Sequence, residues 1–367
     1  MLQAFPSPSP SPVFRRFFDV DGSERRGDGI KFPHIPVTQL HFDSLESTQK
    51  WSQANLQTLK TDRLVTSKRW VVVSADTQSS GIGTRNTGEA GSPHRQWSSP
   101  RGNVYATYVL PWPQEKMSLL LHFAQVSTVA VAMAIEDFVG SHPDPSVVAL
   151  GQRLRPEVKW VNDVWLRGQK VSGVLCECPG VMVDPEDSHL EGAASPFLSS
   201  SSSASVCPPH MAVLVGIGVN VDPQTDLSAS VKDQGVTSLR AALDSVAAEA
   251  DENVDGGGAS EGLALNLDLQ EFIFLLTHRL YESLGKLREG GFEPFLKFVN
   301  ERLVLRGQHI HVDMDGGRIL AGVLEGLDVD GALLLRTESG ELLTLHTGRI
   351  MKEKERERQE GDGQETS

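Results

Sequence analysis

Cysteine and positive charge are both scarce in this chain of 367 residues. Its three cysteines are too few for a disulfide framework, and Cys176 and Cys178 form a lone C-x-C with no second pair at zinc-ligand spacing. Lys and Arg number 34 against 48 Asp and Glu, and the net charge of -14 disfavours sequence-independent binding to nucleic acid. Few cysteines fit a reducing compartment. We therefore expect a cytoplasmic protein, with the mitochondrion or plastid as alternatives.

Long apolar runs and the common phosphate loops are also missing. No uninterrupted apolar run approaches the roughly 18 residues of a membrane helix, so we expect no membrane partner. The Walker motif G-x-x-x-x-G-K-[ST] does not occur. Gly81 and Gly83 follow a predicted strand, but the third glycine of a dinucleotide-binding fingerprint is absent. Such a pair of glycines either forms a plain turn or lets backbone N–H groups approach an anion.

The rest of the chain is ordinary globular sequence interrupted by low-complexity segments. Hydrophobic residues make up 39% and charged residues 22%, and the length suggests about two domains. Alternating Pro and Ser over 6–12 predict that residues 1–36 form a disordered extension. Two arginines there precede any acidic residue, so a transit peptide is an alternative interpretation. The polar stretches 179–210 and 249–261 predict disordered insertions.

Hydrophobic periodicity predicts the secondary structure between these segments. The predicted strands before residue 300 are 71–73, 103–112, 158–166, 170–178 and 211–221, the third and fourth forming a hairpin around 167–169. The predicted helices are 117–140, 267–288 and 293–302. Strands at 303–314, 318–329, 331–337 and 341–350, separated by glycine turns, predict a small five-stranded barrel. A charged, solvated tail follows from residue 352.

Polar side chains interrupt the apolar run 158–166. Lys159, Asn162 and Asp163 would be costly to bury among its valines and tryptophans. A carboxylate and an amide suit Mg²⁺ and phosphate, and Lys170, just past the predicted turn, can reach the same surface. A solvated hairpin end is the alternative interpretation.

Two further segments carry residue types suited to a ligand. Arg95, close to Trp97, can hold a phosphate or stack on a flat ligand, although Trp97 could equally fill the core. Gly216 and Gly218 lie inside an apolar strand, where glycine usually marks a close approach of backbone or ligand. Asn220 offers an amide at the end of that strand.

The order and spacing of these segments, over about residues 38–350, resemble the biotin–protein ligases. The most specific match is Lys-Trp-x-Asn-Asp followed by Lys-x-x-Gly-x-Leu, and the Gly-x-Gly loop followed by Arg-x-Trp-x-x-Pro is the next. The matching segments are Glu46-Ser47-Thr48, Gln78-Ser79-Ser80-Gly81-Ile82-Gly83, Arg95-Gln96-Trp97-Ser98-Ser99-Pro100, Lys159-Trp160-Val161-Asn162-Asp163, Lys170-Val171-Ser172-Gly173-Val174-Leu175 and Gly216-Ile217-Gly218-Val219-Asn220.

The resemblance implies an α/β fold. A biotin/lipoate ligase-like catalytic domain, with a central mixed β-sheet backed by helices, would cover 37–302. A small C-terminal SH3-like β-barrel would cover 303–351. Residues 1–36 and the charged tail 352–367 would then flank these two domains.

The resemblance implies a two-step activity. Members of the family join biotin to ATP, with Mg²⁺, as biotinyl-5′-adenylate and pass the biotin to a lysine in the biotin-acceptor domain of a carboxylase such as acetyl-CoA carboxylase. No helix-turn-helix pattern precedes the catalytic region, so the DNA-binding role of some members is not expected. The alternatives are a lipoate or octanoate ligase or transferase of the same fold, and a catalytically silent homologue that binds a carboxylase.

The resemblance also implies roles for single residues. Lys170 and Arg95 would be catalytic, and Lys170 would contact both the biotin carboxyl group and the phosphate. The implied biotin-binding residues are Ser47, Thr48, Gln49, Gln78, Gly81, Gly83, Thr84, Arg85, Trp97, Lys170 and Gly173. The implied nucleotide-binding residues are Arg95, Trp97, Lys159, Asn162, Asp163 and Asn220, and Asp163 would also bind the metal.

The glycine loop departs from the family's pattern. Where the family usually has Gly-Arg-Gly-Arg, this chain has Gly81-Ile82-Gly83-Thr84, so two basic side chains are missing and Arg85 is the nearest replacement. The difference bears on how tightly the adenylate is retained. It favours the silent homologue, whereas Lys170, Asp163 and Asn220 argue for an active enzyme.

Overall fold

The computed structural model of the chain describes residues 11–20, 34–85, 94–185, 208–225, 235–251, 266–314 and 318–351. Most of the two predicted insertions and the tail from residue 352 lie outside these ranges. Of the predicted N-terminal extension, only 11–20 and 34–36 are described.

A mixed sheet forms the centre of the catalytic region. The strands up to residue 219 are β1 (Phe14–Val20), β2 (Ile35–Leu45), β3 (Trp70–Gln78), β4 (Gly81–Arg85), β5 (His94–Trp97), β6 (Val104–Pro113), β7 (Glu157–Lys159), β8 (Asp163–Leu166), β9 (Gln169–Glu177), β10 (Met182–Val183) and β11 (His210–Val219). The sheet order is β1-β2-β3-β6-β11-β9-β8-β7, β10 pairs with β11, and β4 pairs with β5 in a separate hairpin. β2 and β3 run parallel, whereas their other neighbours are antiparallel. The expected mixed sheet is therefore confirmed.

The helices are α1 (Thr48–Thr61), a 3-10 helix (Gln114–His122), α2 (Phe123–Gly140), α3 (Pro145–Gly151), α4 (Leu239–Asp251), α5 (Leu269–Gly290) and α6 (Glu293–Arg302). The predicted helices correspond to α5, α6 and α2, the last with its 3-10 extension. Side chains of Ser47, Asp144 and Asp268 cap three helix starts by accepting a backbone N–H of the first turn.

Helices cover both faces of the sheet because the central strands present apolar side chains to both sides. In β3, Val71 and Val73 pack in one apolar cluster with α1, whereas Trp70 and Val72 pack in another with α2 and α5. Both faces of the sheet are therefore covered by helices.

Strand β11 follows the same alternation until it reaches the two glycines. Its odd-numbered residues from 213 to 219 are apolar and pack in the cluster with α2 and α5. On the α1 face, Leu214 is buried against α1, but the next two positions are Gly216 and Gly218. The missing side chains leave a hollow on the α1 face of the sheet.

Strand β1 corrects the expectation that residues 1–36 are disordered throughout. β1 pairs with β2 along its length, starting with Phe14 opposite His41. The rings of Phe14 and His41 stack with centroids 4.6 Å apart, and Phe18 packs on Phe274 at 5.6 Å. These aromatic contacts hold the segment against the sheet and α5. Its phenylalanines were a sequence signal for a strand, but the neighbouring Pro/Ser run indicated disorder.

The segment predicted as one strand over 158–166 is two strands, so that prediction is wrong. β7 and β8 pair antiparallel, and residues 160–162 form the turn between them. Asn162 fixes the turn, since its Nδ2 donates to the carbonyl oxygen of Val174 at 2.8 Å.

The hairpin that joins β8 to β9 is confirmed. Arg167 and Gly168 form its two-residue loop, with φ values of 51° and 75°. Positive φ at both central residues is the mark of a type I′ turn, whose twist matches that of the flanking strands.

The segment Gln114–Gly140 is long and apolar enough to cross a membrane by length and composition, which corrects the expectation drawn from run lengths. However, 67% of its most apolar stretch is buried inside the protein. The reason is that α2 packs between the sheet and α5. The segment therefore has the burial of a core helix.

A second, antiparallel sheet follows α6 and forms the expected SH3-like barrel. Its strands are β12 (His309–Met314), β13 (Arg318–Leu327), β14 (Leu333–Arg336), β15 (Leu342–Leu345) and β16 (Arg349–Ile350), in the order β15-β14-β13-β12-β16. The first strand begins later than the predicted residue 303. Leu305 and Gly307 have φ values of 67° and 78°, so this stretch turns instead of extending.

One backbone carbonyl joins the barrel to the catalytic region. The oxygen of Gly331, in the turn between β13 and β14, accepts from Gln125 Nε2 at 2.9 Å and from Trp160 Nε1 at 3.2 Å. Gln125 lies on α2, and Trp160 begins the turn that carries Asn162. The barrel therefore supports that turn directly.

We expect Gly331→Ala to destabilise the protein more than Gly340→Ala. Both glycines have left-handed φ values, 70° and 85°, so either alanine costs about 1–2 kcal/mol. A Cβ at Gly331 would also lie 2.4 Å from Gln125 Oε1, whereas at Gly340 it meets nothing within 4 Å. Crowding should add about 1–3 kcal/mol at Gly331. Urea unfolding of both variants measures the difference, and equal losses would contradict the contact.

Candidate functional site

A cavity of about 490 Å³, including the space at its open mouth, lies in the hollow above Gly216 and Gly218. The predicted residues that line it are Ser47, Thr48, Gln49, Gln78, Gly83, Thr84, Trp97, Asn162, Lys170 and Gly173. Its remaining lining residues are Ile82, Tyr105, Thr107, Val174, Leu175, Gly216, Ile217 and Gly218.

Hydroxyl and amide groups at the start of α1 form a fixed polar wall. Gln78 Oε1 accepts from the backbone N of Thr48 at 2.8 Å, and Gln78 Nε2 donates to Ser99 Oγ at 2.9 Å. Thr107 Oγ1 donates to Thr48 Oγ1 at 3.0 Å. Ser47 caps the helix beside them. These bonds orient several hydrogen-bonding groups toward a ligand in the cavity.

Gln49 lies directly over Gly216. A Cβ on Gly216 would be 2.6 Å from Gln49 Oε1, so the glycine leaves room for this amide. Gln49 Oε1 lies 3.2 Å from Thr107 Oγ1, and Gln49 Nε2 donates to Glu177 Oε2 at 2.9 Å. The amide of Gln49 is therefore held at both of its ends.

Lys170 faces the cavity because of a bulge in β9. Val164 lies opposite Ser172, but Trp165 lies opposite Lys170, so β9 contains one extra residue there. In a regular strand, residues 170 and 173 would point to opposite faces. The extra residue turns Lys170 to the face of Gly173, where its Nζ is 3.1 Å from the position of a Gly173 Cβ.

Lys170 is the basic side chain among the residues that the described structure places in the cavity wall. Its Nζ donates to Asp163 Oδ1 at 2.6 Å, and the two side chains are only 17% and 13% exposed. It also lies 5.2 Å from the centroid of the Trp97 ring, where the ring face attracts a cation. Partial burial strengthens its attraction for an anion that enters the cavity.

Trp97, from the β4–β5 hairpin, covers the neighbouring part of the sheet. Its indole ring lies over Gly218 and Gly173, whose Cβ atoms would be 2.8 Å and 3.0 Å from ring carbons. Its Nε1 is buried without a hydrogen-bond partner in the described part of the chain. An unpaired buried N–H costs about 1–3 kcal/mol, so a ligand acceptor here would be stabilising.

Three of the predicted nucleotide-binding residues are not among those that line the cavity. Asp163 adjoins it through its ion pair with Lys170. Lys159 is 8% exposed, and its Nζ lies 5.2 Å from the Trp165 ring centroid. Asn220 Nδ2 donates to the carbonyl oxygen of Thr237 at 3.1 Å and ties the end of β11 to the start of α4. In this structure Asn220 therefore makes a structural contact.

Two of the predicted loop residues, Gly81 and Arg95, are not among the residues that line the cavity. Arg95 Nη2 donates to Thr84 Oγ1 at 3.2 Å, which holds β5 against β4. A Cβ on Gly81 would be 2.6 Å from the carbonyl oxygen of Trp97, so this glycine permits close pairing of the hairpin. The side chain of Arg85, predicted as a biotin-binding residue, lies outside the described residues.

Tyr105 and Thr107 line the cavity but were not among the predicted site residues. Both lie on β6 and face α1, and a hydroxyl recurring at alternate positions of an apolar strand was the available signal. The Tyr105 hydroxyl donates to the carbonyl oxygen of Pro100 at 2.7 Å. Burial raises the pKa of Tyr105 well above its usual value, so the phenol stays neutral.

Both the catalytic region and the barrel match known protein families. Residues 53–181 match the model of the biotin/lipoate A/B protein ligase family, and residues 306–352 match that of the biotin protein ligase C-terminal domain. A biotin–[acetyl-CoA-carboxylase] ligase from Paracoccus denitrificans is 31% identical over 78% of this chain and 91% of its own length. A bifunctional ligase/repressor BirA from Bacillus subtilis is 24% identical over 85% of this chain and 73% of its own length.

Solved structures show the same fold. A biotin protein ligase from Aquifex aeolicus, in complex with biotin and ATP, superposes with a TM-score of 0.55 at 22% identity. The match covers 85% of this chain and 97% of that one.

We expect Gly218→Ala to lower the free energy of unfolding by about 1–3 kcal/mol, because a Cβ 2.8 Å from the Trp97 ring forces the indole to move. In a Trp97→Leu background the same substitution should cost much less. Urea unfolding of the wild type, both single variants and the double variant gives the coupling free energy. Strictly additive losses would show that the two residues do not touch.

Proposed function

Since this chain belongs to the biotin protein ligases, we propose that it joins biotin to ATP as biotinyl-5′-adenylate and then transfers the biotin to a lysine of an acceptor protein. The observation that carries this function is a single cavity that holds both the polar wall at Thr48 and Gln49 and the ammonium of Lys170. The polar wall suits the ureido ring of biotin. Lys170 suits the carboxylate and the phosphate that must react.

The first step requires two anions to meet. A carboxylate oxygen of biotin attacks the α-phosphorus of ATP, and the bond from that phosphorus to the bridging oxygen breaks as pyrophosphate leaves with the electron pair. Lys170 reduces the repulsion between the reactants and stabilises the charge that develops in the transition state. Its pairing with Asp163 keeps the ammonium in place before the ligands arrive.

The second step needs little acid–base chemistry. The amine of the acceptor lysine attacks the acyl carbon of the adenylate, AMP leaves, and the amine loses a proton. An ordinary lysine has a pKa of about 10.4, so the nucleophile must arrive deprotonated. Trp97 covers the sheet where the adenylate forms and helps exclude water, which would otherwise hydrolyse it.

Magnesium is proposed to enter with the nucleotide. Within the described residues, no three His, Cys, Asp or Glu side chains lie together in a way that would hold a metal ion. Mg²⁺ needs only one or two carboxylates when phosphate oxygens and water supply its other ligands. Asp163 fits the role of that carboxylate, and the ion would neutralise charge on the phosphates.

We propose the biotin-acceptor domain of a carboxylase, such as acetyl-CoA carboxylase, as the protein substrate, and the name of the Paracoccus denitrificans relative supports this. The cytoplasm is the proposed location, with the mitochondrion or plastid as alternatives. Cys176 and Cys178 are free, as a reducing compartment allows. Burial raises the pKa of the Cys176 thiol to about 12, which makes it unreactive.

We expect Lys170→Ala to lower biotin-dependent pyrophosphate release by at least about 100-fold, since the charge that stabilises the transition state is lost. Lys297→Ala is the matched control, because that side chain is 88% exposed. A Lys170→Met/Asp163→Asn variant removes both charges and leaves no unpaired carboxylate, and it should also be inactive. Near-normal release from folded Lys170→Ala would refute the assignment.

The wild-type protein can show directly which carboxylic acid it activates. Pyrophosphate release from ATP and Mg²⁺ should be stimulated by biotin and not by lipoate or octanoate. The physical reason is that only biotin offers N–H donors to the polar wall. Stimulation by lipoate or octanoate instead would assign the chain to the related acyl ligases, and silence with all three would favour a non-catalytic carboxylase-binding homologue.

A further inference from the structure

Glu177 lies behind the cavity wall, and we propose that it is a positioning residue that selects ligands carrying N–H donors by orienting the amide of Gln49. It sits at the end of β9, opposite Leu214 of β11. The proposal rests on the proposed function, because it concerns how the same cavity recognises a cyclic urea. Glu177 acts through Gln49 and is not itself part of the cavity wall.

The contacts of Gln49 carry the argument. Gln49 is only 3% exposed, so its amide must find its partners inside the protein. Its Nε2 donates to Glu177 Oε2 at 2.9 Å, and its Oε1 lies 3.2 Å from Thr107 Oγ1. Oε1 is also the atom that a Cβ on Gly216 would meet first, at 2.6 Å. The oxygen end of the amide therefore faces the cavity wall and the nitrogen end faces away.

A carboxylate removes the ambiguity that an amide ordinarily has. The two ends of a glutamine amide have nearly the same shape, so neighbouring donors and acceptors decide which end points where. A carboxylate only accepts hydrogen bonds, so it fixes the NH₂ group of Gln49 on its own side. The Gln49 oxygen then remains on the side of Thr107 and Gly216, where it adds an acceptor to the wall.

An acceptor at this place discriminates between ligand classes. A cyclic urea offers two N–H donors, whereas the dithiolane of lipoate and the alkyl chain of octanoate offer none. The Gln49 oxygen has two lone pairs and Thr107 can satisfy only one of them, so a ligand N–H that donates to the other favours the urea. If the amide were reversed, its NH₂ group would face the N–H groups of the ligand and binding would weaken.

Glu177→Gln tests the proposal, because a glutamine at 177 can present either a donor or an acceptor to Gln49. We expect the Kd for biotin, measured by calorimetry, to rise about tenfold, the effect of one lost oriented hydrogen bond. The Kd for ATP should stay unchanged. The matched control is Asp184→Asn, since Asp184, just after β10, also pairs with a side chain of α1, Lys60 at 3.4 Å, but does not line the cavity.

A double-variant cycle separates positioning from a merely structural role. In a Gln49→Met background, Glu177→Gln should change the Kd for biotin by less than about twofold, because the amide it orients is gone. Equal biotin affinity of Glu177→Gln and wild type, additive effects in the cycle, or a parallel loss of ATP affinity would each overturn the proposal. Failure of the wild type to bind biotin would instead refute the proposed function, and this inference with it.

Discussion

The cavity exists because Gly173, Gly216 and Gly218 have no side chains, and the positions of the residues around it depend on that space. The central sheet is covered by helices on both faces, and at regular positions of β11 an apolar residue packs against α1. At these glycines the space is open to Gln49 and Trp97 instead, whose atoms come closer than any Cβ would permit. A small-molecule site thus exists inside a packed sheet without a break in its hydrogen bonding, because β9 and β11 stay paired beneath it.

Charge in the site is concentrated on one side chain. The glycine loop Gly81-Ile82-Gly83-Thr84 adds no basic side chain to the site. Among the described residues that line the cavity, Lys170 is the one basic side chain. Three features position its ammonium group: the ion pair with Asp163, the bulge in β9 and the ring of Trp97. The chain as a whole carries a net charge of -14, so this ammonium is local positive charge in an acidic protein.

Much of this organisation could be predicted from the sequence, because it depends on local pattern. The continuous apolar runs of β3 and β6, the periodicity of α5 and the type I′ loop at Arg167 and Gly168 are all short-range signals. Features that depend on distant contacts could not be predicted. The turn at 160–162 needs the Gly331 carbonyl of the barrel, and β1 needs the rings of His41 and Phe274. Likewise, the bulge that aims Lys170 leaves no mark in the strand's own hydrophobic pattern.

Strand β1 also protects the sheet from unwanted association. Without it, β2 would be the edge of the sheet, an 11-residue strand with a full row of unpaired backbone groups and the apolar residues Val37, Leu40 and Phe42. Long, regular edges of this kind template pairing with other chains. A compact fragment that starts after residue 20 would lack β1 and would therefore be prone to aggregation. An affinity tag placed ahead of residue 11 leaves β1 paired with β2.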